Sequence, residues 1–161
     1  MNELINKISS YNLFNYLLPG AIFVIFIEKT SKYKILQEDM LMNAFLVYFL
    51  GLVISRIGSI IIEPILKIKV KFAAPEDFIK ASKEDKKIEV LSEANNMYRT
   101  FISLFLILII FKVYDKYCSV CQEYNVYILL IVLLVLFIIS YIKQTKYIIK
   151  RVNYHCKKDE L

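Results

Sequence analysis

Histidine is almost missing from this 161-residue chain: His155 is the only one. No histidine-based triad or metal cluster can be assembled from a single imidazole within one chain. Glycine is scarce too. Gly20, Gly51 and Gly58 are the whole supply, and they do not make a Gly-rich phosphate loop. Three cysteines, Cys118, Cys121 and Cys156, do not make a disulfide framework. Cys118 and Cys121 form a C-x-x-C pair without the soluble α/β context of a redox enzyme or the second ligand pair of a zinc site. A tight disulfide in an oxidising compartment and two incidental thiols both stay open for them. There is no Pro/Gly/Ser linker and no internal repeat, so a single domain, 1–161, is expected. No Arg-rich transit peptide opens the chain and no small-residue cleavage site follows its first apolar run. That run is expected to be retained as a membrane helix.

What is abundant is apolar. The hydrophobic share is 58%, above the roughly 45–50% of ordinary globular chains, and it is gathered into blocks. The central block, LMNAFLVYFLGLVISRIGSIII at 41–62, meets the roughly 20 residues a helix needs to cross a bilayer. Spans are predicted at about 11–27, 41–62, 98–113 and 126–142. An amphipathic lead-in precedes the first, with Leu4, Ile5 and Ile8 at helical spacing. A helical hairpin at about 67–97 lies between the second and third, and a basic tail at 143–161 follows the fourth. Pro75 suits the first turn of a short helix, PEDFIKA. Ser82 with Asp85 resembles a capping box, which predicts a long helix from there to Lys116, ~50 Å at 1.5 Å per residue.

Lysine and arginine set the expected topology. Of the 21, fifteen fall before span one, between spans two and three, or after span four, and five fall in the other two loops, Arg56 aside. The excess marks the cytoplasmic side, so both termini and the hairpin are predicted to face the cytoplasm. The last four residues, KDEL, match a lumenal retrieval signal; a cytoplasmic tail makes that match a coincidence.

Within the spans, polar residues are the candidates for function. Gly51, Ser55 and Ser59 recur every four residues, a stripe on which another helix can pack closely, in the same chain or a second copy. Arg56 lies beside the stripe, where a charge is expensive unless it snorkels, pairs or faces water. Glu63 is seven residues on, roughly the same face of a regular helix. Arg56 and Glu63 are read either as a charged ring or gate in an oligomeric pore, or as an arginine snorkelling toward headgroups with the glutamate already at the interface. Asn12 and Asn15 share an inward face of the first span, as interhelical glue or pore lining. The hairpin carries Lys67, Lys69, Lys71 and Arg99, read as a solvated, positive-inside face or as a site for an anionic ligand such as a nucleotide, an oligonucleotide or a lipid headgroup. Tyr98 or Phe78 would then stack on a base.

The opening YNLFNYLLPGAIF, the segment RIGSIIIEP and the hairpin EDFIKASKEDKKIEVLSEANNMYR resemble small four-span bacterial membrane effectors of anti-phage nucleotide-signalling defence systems, of Hailong or CBASS type. The resemblance covers nearly the whole chain in architecture but supplies no ligand motif. It implies a homo-oligomer, opened by a nucleotide or oligonucleotide signal, that depolarises the bacterial inner (plasma) membrane.

The expected fold is therefore all-α: a polytopic membrane protein with four transmembrane helices, N-in/C-in, and a helical cytoplasmic extension. The expected function is an oligomeric membrane pore or channel-like effector gated from the cytoplasm by an anionic signal. The alternative is a membrane anchor or accessory subunit that recruits a cytosolic partner protein. No catalytic set, cofactor or metal site is predicted; Asp115, at an outer span end, is the nearest thing to a catalytic residue.

Overall fold

In lipid a backbone must satisfy its own polar groups, and a helix does so within one segment. Each long apolar block of this chain is helical in the computed structural model, which describes residues 12–69, 72–117 and 125–156. They form α1 (Leu13–Thr30), α2 (Met40–Lys69), α3 (Pro75–Glu84), α4 (Lys87–Tyr117) and α5 (Asn125–Cys156). There is no strand among the described residues. α1, α2, α4 and α5 are long and apolar enough to cross a membrane. The amphipathic lead-in, Lys71, the Cys118–Cys121 pair and the terminal KDEL lie outside the described residues.

The turn from α1 to α2 is tied down by side chains. The Glu28 carboxylate accepts from the amides of Ile35 and Leu36 at 2.9 and 2.7 Å. Asn43 both accepts from the Gln37 amide and donates to its carbonyl, each at 2.8 Å. Asp39 caps α2, its carboxylate accepting from the amides of Leu41 and Met42 at 2.7 and 3.1 Å. Alanine at Asp39 should cost about 1 kcal/mol, the usual worth of an N-cap. Thermal unfolding of the detergent-solubilised protein would check it.

The start of α4 differs from the sequence expectation. Ser82 lies inside α3, where its hydroxyl donates to the Ile79 carbonyl at 3.3 Å, so it is not at the start of α4. Asp85 does the capping: its carboxylate accepts from the Lys87 amide at 2.9 Å. α3 and α4 are thus two helices with a break at Asp85, not one helix from Ser82.

The core is built from Val24 and Ile27 of α1, Ile54 of α2, and Leu104 and Leu108 of α4. The outward faces are equally apolar: Phe45, Ile109, Ile110, Leu129, Ile131 and Leu134 are all exposed. A helix apolar all round belongs in a large core or a membrane, and among the described residues no second layer covers this bundle. α5 packs on α2 and α3, with Leu136 and Ser140 buried and Phe137 stacked on Phe49 at 6.3 Å. α3 lies against α4 and α5, anchored by the buried Ile79.

Two π-helical turns interrupt the α-helical pattern, Leu13–Leu17 in α1 and Gly58–Ile62 in α2. Each is closed by an amide reaching back five residues, Leu18 to Leu13 and Glu63 to Gly58. A proline follows each closing residue, Pro19 and Pro64. Proline has no N–H, so each turn leaves a carbonyl that its own helix does not satisfy.

Candidate functional site

Three apolar runs stop at the same place. The run of α2 stops at Ile62, that of α4 begins at Phe101, and that of α5 stops at Ile142. The charged residues flanking these stops are Glu63, Arg99 and Lys143, and they converge. Glu63 is buried, 8% exposed. Its Oε1 receives Lys67 at 2.7 Å, and its Oε2 receives Arg99 Nη1 at 2.7 Å and Lys143 Nζ at 3.2 Å. One carboxylate thus joins α2, α4 and α5, and the cluster is net positive even without Lys67.

Lys143 has a second task. The carbonyl that a π-helical bond would have linked to residue 64 is that of Ser59, and Pro64 cannot donate to it. Lys143 Nζ donates to this Ser59 oxygen and to Ser59 Oγ, the latter at 2.8 Å. A carbonyl exposed by proline on α2 is therefore satisfied by the cation of α5.

Further into the bundle the α2–α4 seam stays polar. Thr100 is fully buried, with its hydroxyl 3.2 Å from Asn15 Oδ1 and 3.2 Å from Ser55 Oγ, and it donates to the Asn96 carbonyl at 2.9 Å. Ser103, also fully buried, donates to the Ile54 carbonyl at 3.0 Å. Valine at Thr100 keeps the shape and removes the hydroxyl, so Ser55 Oγ loses the oxygen it can donate to and the Asn96 carbonyl loses a donor. The expected cost is about 1–3 kcal/mol, read as a lower thermal midpoint.

The other sequence candidates fall as follows. Asn15 is in the Thr100 node, and Asn12 is half-buried just before the first π turn. Gly51 lies against the Tyr16 backbone of α1, Ser55 in the Thr100 node, and Ser59 in the Glu63 cluster. Arg56 is half-exposed and is not among the partners of Glu63. The seven-residue spacing puts two side chains on one face only in an unbroken α-helix. The intervening π turn inserts a residue, which rotates the face by roughly 100°. Lys67 is on Glu63 and also 5.1 Å over the Phe72 ring, Arg99 is on Glu63, and Lys69 is exposed.

Lys143, Thr100 and Ser103 are the residues that sequence reasoning did not single out. A signal for the last two exists: two hydroxyls three residues apart inside an apolar run face one side of a helix. Ser140 and Lys143 repeat that spacing on α5. No protein-family model, curated protein or solved structure matches the chain.

Proposed function

We propose that this chain is the subunit of an oligomeric pore or channel-like effector of the bacterial inner membrane. Both termini face the cytoplasm, and an anionic nucleotide or oligonucleotide signal gates it there, breaching the membrane in anti-phage defence. The observation that carries the reading is the Glu63 cluster. It fastens three membrane-length helices together at the end where α3 is attached, with more positive than negative charge. An anion arriving there would compete with Glu63 for Arg99 and Lys143 and loosen α5 from α2. A ligand gates by binding one arrangement better than the other, and this competition supplies that difference. The excess of lysine and arginine on the same side supports a cytoplasmic setting. The inside of one bundle is filled by Ile27, Ile54, Leu104 and Leu108, so conduction requires several copies around an axis.

The test is ion flux from liposomes holding the purified full-length protein, with cyclic and linear oligonucleotides added. Flux that begins on addition and is weakened in Lys143→Met supports the reading. A strictly monomeric protein in ion-tight vesicles with every nucleotide tried refutes it. The anchor reading draws on exposed Ile68, Phe72 and Phe78 around the hairpin. Its mark is stable co-purification with one soluble protein and no flux.

A further inference from the structure

We infer that the Glu63 cluster is a phosphate-binding site, formed by Lys67 and Lys143 at its rim and Arg99 beneath, with Glu63 as a built-in competitor. This deepens the anion-gated reading and rests on it for gating alone; binding stands by itself.

Three observations carry it. First, the charges are unequal: Arg99 and Lys143 share one oxygen of Glu63 while Lys67 takes the other. Lys143 places its donors on Glu63 Oε2, the Ser59 carbonyl and Ser59 Oγ, so the spare donors are those of Arg99, which carries five N–H groups and has its Nη1 on Glu63. Among the described residues Arg99 Nε is buried with no acceptor. Second, the cations are reachable in order. The side chain of Lys67 is 41% exposed, that of Lys143 26% and that of Arg99 15%, a gradient from rim to floor. Third, the cluster lies where three apolar runs end, so it sits at the height of lipid headgroups in a bilayer. A phosphate has the charge and the oxygens to satisfy several such donors at once, and arginine and lysine both bind it well. Two sources present the same group there, the headgroup of an anionic lipid and a soluble phosphate compound.

The arms of the experiment separate them. The full-length protein in an uncharged maltoside detergent is titrated with short-chain phosphatidylglycerol and, separately, with inorganic pyrophosphate. Affinity is followed by thermophoresis. Saturable binding of either supports the site and names its source. Glu63→Gln should bind about tenfold more tightly, because the internal competitor loses its charge. Lys143→Met should bind about tenfold more weakly. Lys67→Met, a change on the exposed rim, should weaken binding about threefold, since water screens that charge. A purely structural cluster predicts the opposite for Glu63→Gln, a loss rather than a gain. Absence of saturable binding by both compounds overturns the proposal, as does binding that Glu63→Gln and Lys67→Met leave unchanged. Binding with ion-tight vesicles would remove the channel and keep the site; flux without phosphate binding would do the reverse.

Discussion

Glutamine at position 63 should lower the thermal midpoint of the solubilised protein by about 10 °C, close to 3 kcal/mol of stability. The substitution keeps the shape and one carbonyl oxygen and removes only the charge. Arg99, Lys143 and Lys67 then stand 2.7, 3.2 and 2.7 Å from atoms that no longer compensate them. Lys67 contributes little to the loss, because its exposed side chain can turn back to water. Arg99 and Lys143, with side chains 15% and 26% exposed, have less water to turn to, and removing one partner of a largely buried ion pair is the costly operation. The cost should therefore depend on Lys143. In a double-mutant cycle, Lys143→Met combined with Glu63→Gln should destabilise by about 1–2 kcal/mol less than the two changes added together. Strict additivity would mean that Lys143 and Glu63 do not share an interaction, and the cluster as described would fall.

The four long helices are legible in the sequence because each apolar block approaches or reaches the length a bilayer requires, and a helix is the way one segment satisfies its own backbone in lipid. Their ends are less legible. The apolar block of α2 stops at Ile62 and that of α5 at Ile142, yet the helices continue to Lys69 and Cys156. Lysine, arginine, glutamate and glutamine are good helix formers, so a change in polarity does not end the helix. The break at Asp85 is a case of two competing caps. Ser82 and Asp85 both have the chemistry, and only the structure tells that Ser82 is still within α3 while Asp85 stands at the break.

The candidate site was half visible for a related reason. Glu63 stands out because it interrupts the end of an apolar block. Lys143 does not, because a lysine at the end of a span is already explained as an orientation signal, and its partner lies 80 residues away. Nor does the sequence announce the π turn at Gly58–Ile62. Pro64 marks a missing amide, but a regular helix with one unpaired carbonyl would read the same way. The turn carries two consequences at once: it moves Arg56 off the face of Glu63, and it makes the Ser59 carbonyl available to Lys143. A local departure from α-helical bonding thereby decides which charges meet.

Alanine at Gly51 should be strongly destabilising, costing about 3 kcal/mol or more. This is at or beyond the upper end of ordinary overpacking. A Cβ built there falls 1.7 Å from the Tyr16 carbonyl oxygen and 2.5 Å from its carbon. Both are backbone atoms of α1, and no rotamer change can clear them. Gly20 on α1 meets α2 in the same way, 1.9 Å from the Val47 oxygen, so the two glycines make one crossing from opposite sides. Relief requires the helices to separate, and that would draw Asn15 of α1 away from Thr100 of α4. Gly58 is the control, because it looks equivalent in sequence and is not equivalent in space. Its Cβ would lie 3.2 Å from the Arg99 oxygen and 3.3 Å from the Ser103 Cβ, which a shift of a few tenths of an ångström accommodates. Gly58→Ala should therefore cost about 1 kcal/mol or less, offset in part by the better helix propensity of alanine. Thermal midpoints of the two variants, measured in the same detergent, decide the matter. Equal losses would show that α1 and α2 do not cross at Gly51, and that the small-residue stripe serves some contact other than the one with Tyr16.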